Sequence, residues 1–278
     1  MAVSASARVR QRLSLHMVAT AVAIGALAYA WIIISTGDFQ YDARAYWSVD
    51  LDDLYGESLV GRRATYLYSP AFAQAIWPAT LLPWAVFAAL FCAINIAALT
   101  WMAGPILAAV LLFVPFSPVR DEVTTGNIHL LLGAAIVVGM RWPSAWAFPF
   151  LTKVTPGVGV LWFAGTGRWR ALAIAMVTTA AIAAVSFILA PQAWVEWANL
   201  LLSSSTVEIP AEVGIIPGPI WARTALAAAL VLLGGWRGWW WSVPIAAFVA
   251  LPVTWSSGLS ILVALLPLWR IAREAPEH

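Results

Sequence analysis

The sequence predicts an all-α polytopic membrane protein, a bundle of about ten membrane-embedded helices of which some are short or re-entrant. The chain has 278 residues, of which 62% are hydrophobic and only 10% are charged. A soluble domain is typically about 45–50% apolar and about 25% charged. The eighteen tryptophans fit this prediction, because indole rings favour the bilayer interface. Lipid is therefore the expected surrounding of most of the chain.

The apolar segments lie at about 15–36, 84–102, 105–117, 128–140, 171–190, 219–235, 239–254 and 258–270. The first could be mistaken for a signal peptide, since three arginines precede it. However, the run from Met17 to Ser35 is longer than the roughly 7–15 residues of a signal h-region. It is long enough to span a bilayer, and we expect it to be an uncleaved first helix.

The interval 144–164 allows two interpretations. A single crossing would place Lys153 and Pro156 at mid-bilayer, where a charge costs at least ~2.5–3.5 kcal/mol. The alternative is a helical hairpin that rises through Ala145–Thr152 and returns through Val158–Ala164, with Lys153 at its outer tip. Such short broken helices are tolerated where protein or a wet cavity surrounds them.

Charge distribution favours the hairpin, because basic residues concentrate in cytoplasmic loops. With the hairpin there are ten crossings, both termini are cytoplasmic, and the outer loops lie at about 37–83, 118–127 and 191–218. Eleven of the thirteen acidic residues then face outward. The basic residues assigned to the cytoplasm are Arg8, Arg10, Arg12, Arg141, Arg168, Arg170, Arg237, Arg270 and Arg273, and those assigned outside are Arg44, Arg62, Arg63, Arg120, Lys153 and Arg223. Any chemistry is expected on the outer face.

The first outer loop begins with "FQYDARAYWSVDLDD" at Phe39. Apolar residues recur at helical spacing from Trp47, which predicts a helix lying in the interface. Its apolar side would carry Trp47, Leu51, Leu54 and Tyr55, and its wet side Asp50, Asp52, Asp53 and Glu57. Asp42 is expected before this helix, close to the end of the first span, and it is either a functional carboxylate or one more solvated aspartate.

Outward carboxylates and cations together suggest group transfer from a lipid phosphate. A carboxylate can take the proton of an attacking hydroxyl, typically worth ~10²–10⁴ in rate, and fixed cations can stabilise a departing phosphate. The net charge of +2 predicts no nucleic-acid partner. One cysteine, Cys92, and three scattered histidines (His16, His129 and His278) predict no disulfide and no metal site.

Four motifs add a resemblance. They are "YDARAYW", "YLYSPAFAQAIWPATLLP", "TTGNIHLLLGAAIVVG" and "LTKVTPGVGVLWFAGTGRWR". In this order, over roughly residues 15–190, they resemble glycosyltransferase family 87, whose members are polytopic enzymes of the GT-C superfamily that use polyprenyl-phosphate sugars. The third motif departs from the family's Gly-Gln-x-Asn pattern, since this chain reads Gly126-Asn127-Ile128-His129.

The resemblance implies a GT-C-like bundle and inverting transfer of a hexose, in first place mannose, to a lipid or glycan acceptor. Asp42 would be the general base, Lys153 and Arg120 would bind the donor phosphate, and Tyr46, Tyr68, Asn127 and His129 would contact substrate. From the residues alone, Lys153 could instead be a snorkelling lysine, the tyrosines an aromatic belt and Asn127 a helix cap. Asp121 and Glu122 are a rival base or metal site, with plain loop charge favoured.

The resulting prediction is a hexosyltransferase of a bacterial plasma membrane that works without cofactor or metal. Residues 1–190 would form the catalytic module, and residues 191–278 an external loop and variable spans of the same membrane domain. Two alternatives stay open: a lipid or anion transporter, since broken helices also bind anions in transporters, and an inactive transferase-like scaffold.

Overall fold

The structure is a computed structural model that describes residues 39–56, 65–204 and 214–274. The predicted first span at 15–36 and both chain termini lie outside the described residues. The same holds for Glu57, Arg62 and Arg63 of the first loop, and for part of the predicted outer loop at 191–218.

The described residues form thirteen α-helices and three 3₁₀ helices, with no β-strand among them. The first group is α1 (Tyr41–Trp47), α2 (Pro70–Thr80), α3 (Trp84–Ala103), α4 (Pro105–Phe113), α5 (Pro118–Thr125) and α6 (His129–Arg141). A hairpin segment follows, with a 3₁₀ helix (Pro143–Trp146), α7 (Ala147–Lys153), a second 3₁₀ helix (Thr155–Leu161) and α8 (Trp162–Gly165). The last group is α9 (Trp169–Leu189), α10 (Pro191–Ser204), α11 (Ile220–Arg237), α12 (Ser242–Val249), a third 3₁₀ helix (Ser256–Ala264) and α13 (Leu265–Glu274).

Two of these helices are long and apolar enough to cross a membrane. They are α3, with 20 residues, and α9, with 21 residues. Only 11% of the most apolar 18-residue stretch of α9 is buried inside the protein. At about 1.5 Å per residue each reaches roughly the 30 Å thickness of a hydrocarbon core. The pair α5 and α6 makes a third candidate if its bent halves count as one span. These helices and the overall composition are those of a membrane protein.

Ten crossings are not confirmed in the described residues, because several apolar runs are divided into short helices. Gly104, with a φ of 80°, separates α3 from α4, and α4 has only nine residues. The predicted segment 239–254 contains the eight-residue α12. The predicted segment 258–270 is divided between a 3₁₀ helix and α13. Composition revealed that these runs were apolar, but not where the backbone would break.

The hairpin segment has two arms that pack side by side. A Cβ added to Gly157 would meet the ring of Phe150, and one added to Gly159 would meet the indole of Trp146. Between the arms, Val154 has a φ of 51°, which reverses the chain directly after Lys153. This is the geometry expected of the predicted hairpin with Lys153 at its tip.

The two ends of the hairpin segment return to one end of the bundle. Arg168 donates through both Nη atoms to the Met140 carbonyl, at 3.4 Å each. The close approach of Gly165 to Gly235 brings the end of α11 to the same place. Asn127, which precedes α6, and the hairpin tip therefore lie at the opposite end, about 20 Å away by the rise of the 13-residue α6.

The helix of the first loop lies earlier than the sequence predicted. It is α1, Tyr41–Trp47, and Asp42 belongs to its first turn. Beyond Trp47 the chain turns instead of continuing as a helix. Asp50 accepts from the Asp52 amide, and Asp53 from the Gly56 amide, at 3.0 Å each. Aspartate side chains that bond nearby amides in this way compete with the helix.

The second half of the first loop nevertheless keeps its expected polarity. Asp50, Asp52 and Asp53 are exposed, whereas Leu54 and Tyr55 are buried. The aspartates are therefore a solvated surface, as the sequence indicated, although they are not on a helix.

Helix α1 is held in place by the end of α5. The backbone amide of Gln40 donates to the Thr124 carbonyl at 2.8 Å. Two residues after Thr124, Gly126 has a φ of 70°. A Cβ on Gly126 would lie 2.8 Å from that of Ala43 and 3.0 Å from that of Gln40. Glycine at 126 therefore allows both the left-handed turn and the close approach of α1.

Replacing Gly126 by alanine should lower the stability of the protein by more than its backbone conformation alone explains. Gly167 is the matched control, because it has a φ of 71° and open space around its Cα. We expect Gly167→Ala to cost about 1 kcal/mol, and Gly126→Ala a further ~1–3 kcal/mol from overpacking against α1. Thermal unfolding in detergent measures both, and equal losses would mean that α1 does not press on Gly126.

Candidate active site

A polar cluster forms where α1 meets the turn between α5 and α6. Asn127 donates from Nδ2 to Oδ2 of Asp42 at 2.7 Å, and its Oδ1 accepts from the Ile128 amide at 2.8 Å. The side chain therefore binds the Asp42 carboxylate and the amide of Ile128, which is itself the N-cap residue of α6, so Asn127 is not the helix cap that the sequence left open. Asp42 itself is half-buried on the first turn of α1.

Glu122 lies on α5, and its carboxylate is placed at the beginning of α6. Its side chain is fully buried, with 0% exposure. Oε1 accepts from the amides of His129 and Leu130, the latter at 3.3 Å. An anion in this position satisfies amides that have no partner within the helix and interacts favourably with the helix dipole. The 108° bend between α5 and α6 places the carboxylate there.

His129 joins this carboxylate to the hairpin tip. Its Nδ1 lies 2.8 Å from Oε2 of Glu122, and its Nε2 lies 3.1 Å from the Nζ atom of Lys153. His129 is fully buried, whereas Lys153 is half-buried. A continuous line of polar contacts thus runs from Glu122 through His129 to Lys153.

Two tyrosine rings form an aromatic wall beside Lys153. The Tyr46 and Tyr68 hydroxyl oxygens are 2.8 Å apart, and their rings meet edge to face at 5.1 Å. Lys153 Nζ lies 5.7 Å from the centre of the Tyr68 ring, within the range of a cation–π interaction. Tyr46 and Tyr68 are buried, so their rings pack inside the protein next to Lys153 and do not lie on its outer surface.

Three hydrogen bonds hold the chain segment that carries Tyr68. Tyr55 donates its hydroxyl to the Tyr68 carbonyl at 2.7 Å, and Tyr66 donates to the Ser69 carbonyl at 2.8 Å. Ser69 in turn donates its hydroxyl to the carbonyl of Leu151 on α7. The site wall is thereby joined to the same short helix that ends at Lys153.

Six of the seven predicted site residues come together in this cluster: Asp42, Tyr46, Tyr68, Asn127, His129 and Lys153. Arg120 lies on α5, two residues before Glu122, and is half-buried. The hydrogen bonds described above join the cluster to α5 through Glu122. The roles of all seven residues remain proposals.

Glu122 is the residue that sequence reasoning missed, since plain loop charge was favoured for it. The structure contradicts that interpretation, because the side chain is fully buried with three hydrogen bonds. A signal was present in the sequence: a glutamate precedes a Gly-Asn break and an apolar helix that begins with histidine. Asp121, its neighbour, accepts from the Ser256 hydroxyl at 3.1 Å and remains partly exposed.

The cluster combines a half-buried carboxylate with a half-buried ammonium, and aromatic rings flank them. Such an arrangement can take up a proton on one side and hold an anion on the other. Within 39–56, 65–204 and 214–274, no group of three histidine, cysteine or carboxylate side chains is placed to hold a metal ion.

The polar cluster thus lies at one end of a bundle of apolar helices. Comparison with known proteins gives the class. A model of glycosyltransferase family 87 matches residues 66–276, and the chain belongs to this family. The protein is therefore a glycosyltransferase, which transfers a sugar from a donor to an acceptor. No curated protein and no solved structure matches the chain.

The matched range differs from the span of the sequence resemblance. It begins at Tyr66, after the "YDARAYW" motif, and it extends through the C-terminal helices to residue 276. The family match therefore includes Tyr68, Asn127, His129 and Lys153, whereas Asp42 and Tyr46 lie before it. The placement of Asp42 in the site rests on its contact with Asn127.

Burial raises the pKa of Tyr46, Tyr55, Tyr66 and Tyr68 well above the usual value for a phenol. For Tyr68, the nearby Asp42 carboxylate raises the pKa further. A raised pKa means that the folded protein holds protons that the unfolded chain releases above pH ~10. This contribution to stability is full below pH ~10 and falls as the pH rises further.

We therefore expect these four tyrosines to stay protonated at pH 11 while the protein remains folded. An alkaline difference-absorbance titration in detergent measures the tyrosinate formed, and an unfolded sample gives the total for all six tyrosines. Unfolding should become progressively easier above pH ~10. Ionisation of more than two tyrosines below pH 11 in folded protein would contradict the buried wall.

Proposed function

We propose that the protein is an inverting glycosyltransferase that moves a hexose, in first place mannose, from a polyprenyl-phosphate sugar to a lipid or glycan acceptor. The observation that supports this proposal is the meeting of Asp42 and Lys153 in one cluster, although 111 positions separate them in the chain. One can accept a proton, and the other can hold a phosphate. Glycosyl transfer from a phosphate requires both.

Asp42 is the general base of the proposed reaction. Asn127 binds one carboxylate oxygen, which fixes the orientation of the group. Asp42 is only half-buried, so an incoming hydroxyl can reach it. Asp50, Asp52 and Asp53 are exposed on a turn, which makes them unsuitable for the same task.

Lys153 binds the phosphate of the donor. An ammonium group has three N–H donors, and one of them faces His129 Nε2. Two remain for phosphate oxygens. A phosphate ester leaves as a stable anion, so a fixed positive charge is sufficient and no proton donor is required.

In the transfer step, the acceptor oxygen forms a bond to the anomeric carbon while the bond from that carbon to the phosphate oxygen breaks. The electron pair of the broken bond leaves with polyprenyl phosphate, next to Lys153. The proton of the acceptor hydroxyl passes to Asp42. Attack from the face opposite the phosphate inverts the anomeric configuration.

The proposal also includes the location of the site in the membrane and the part of the chain that forms it. The protein would reside in a bacterial plasma membrane with both termini in the cytoplasm and the site on the outer face. Residues 1–190 would be the catalytic module, and the helices after residue 190 would shape the acceptor side. The reaction would use neither cofactor nor metal. Arg120, close to the site on α5, would be a second phosphate ligand.

Asp42→Asn should lower turnover by ~10²–10⁴, because the amide cannot take the acceptor proton. Binding of the donor should change little, since the phosphate lies near Lys153. Purified protein given a labelled polyprenyl-phosphate sugar provides the measurement. Asp52→Asn is the matched control, as Asp52 is exposed on the same loop, and it should transfer normally. Full turnover of Asp42→Asn would exclude the assigned base.

The outer location can be tested through Lys153, which is the only lysine of the chain. A membrane-impermeant amine reagent applied to intact cells should label the protein, and Lys153→Arg should not be labelled under the same conditions. The measurement compares intact cells with everted vesicles by mass spectrometry of the hairpin peptide. Labelling of Lys153 in everted vesicles alone would place the site on the cytoplasmic side.

A further inference from the structure

The most deeply buried ionisable pair of the cluster has no role in the transfer step described above. Glu122 and His129 each have 0% exposure, and their side chains are 2.8 Å apart. Burying a carboxylate is costly unless donors surround it. An unused buried pair directly behind the phosphate-binding lysine requires a physical explanation.

The hydrogen bonds determine which ring nitrogen of His129 carries the proton. Glu122 Oε2 faces Nδ1, and a carboxylate can only accept, so Nδ1 must donate. In the neutral ring, Nε2 then has a free lone pair, and this atom faces Lys153 Nζ at 3.1 Å. The lone pair can accept a hydrogen bond from the lysine ammonium. The other tautomer would set an N–H against the ammonium.

We propose that Glu122 and His129 are positioning residues that hold Lys153 as an oriented ammonium for the phosphate of the lipid-linked donor. Glu122 fixes the tautomer of His129, and His129 fixes the direction of the lysine side chain. The inference rests on the proposed function of Lys153 as phosphate ligand. It also changes the role expected of His129, which acts through Lys153 and does not touch the substrate.

Three substitutions separate this role from a merely structural one. Glu122→Gln keeps an oxygen for the amides of His129 and Leu130, but its NH₂ group must donate to Nδ1 and so reverses the tautomer. His129→Asn retains a polar atom near the position of Nδ1 and loses contact with Lys153. His129→Gln retains one near the position of Nε2, where its oxygen can accept from Lys153.

The first measurement needs no enzymatic activity. The chain has three histidines, so replacing His16 and His278 by glutamine leaves His129 as the only one. In ¹⁵N-histidine-labelled protein in detergent, Nδ1 should carry the proton and Nε2 should have the chemical shift of an unprotonated nitrogen. In the Glu122→Gln variant the two assignments should exchange.

The second measurement uses polyprenyl phosphate without a sugar as the probe. Glu122→Gln and His129→Asn should each weaken its binding on the order of tenfold, as expected for the loss of a hydrogen bond to a charged group. His129→Gln should weaken it distinctly less. With a labelled donor, the KM for the donor should rise in the two weakened variants while the KM for the acceptor stays constant.

The outcomes distinguish this inference from the function on which it rests. If the wild-type protein neither binds polyprenyl phosphate nor transfers sugar, the proposed function fails. If the wild-type protein binds the probe but Glu122→Gln and His129→Asn bind it equally well, the positioning role is wrong. A proton on Nε2 of His129 in the wild-type protein would also overturn it. Equal weakening by His129→Asn and His129→Gln would assign His129 to the fold alone.

Discussion

The buried carboxylate of Glu122 is the interaction on which the site depends. It binds two amides at the start of α6 and the ring of His129, and so it joins a helix end to a side chain that reaches the hairpin tip. Leaving a buried donor without its acceptor typically costs about 1–3 kcal/mol, and loss of this carboxylate would leave three such donors, the amides of His129 and Leu130 and the Nδ1–H of His129. Loss of the hydrogen bonds of Glu122 would therefore disturb both the bend after α5 and the orientation of Lys153.

The remaining parts of the site are fixed by close contacts between segments that are distant in the chain. The absence of a side chain at Gly126 lets α1 approach the bend, and this approach carries Asp42 to Asn127. Ser69 ties the chain before α2 to the carbonyl of Leu151. Because each contact joins segments distant in sequence, the geometry of the base and of the phosphate ligand is set by packing. Local helix preference contributes little to it.

Much of the site could be predicted from the sequence because its residues fall in polar motifs within an apolar chain. Asp42 and Lys153 are rare charges near predicted membrane boundaries, and the structure brings them together. Glu122 was missed because an acidic residue in a predicted loop is usually solvated, and only tertiary packing shows its burial. The helix predicted after Trp47 was wrong, since the aspartates there bind local amides. Ten crossings were inferred from hydropathy, which does not locate breaks such as Gly104.

The assembly of the site from separate segments has a consequence for biosynthesis. Asp42 leaves the ribosome 111 residues ahead of Lys153, so at about 5–20 residues per second it is made on the order of ten seconds before its partner. For most of that interval α1 lacks the α5 bend, and for all of it α1 lacks the completed hairpin. A newly made chain can therefore be inserted and largely helical before it holds a complete site, and the emergence of the hairpin is the step that allows completion.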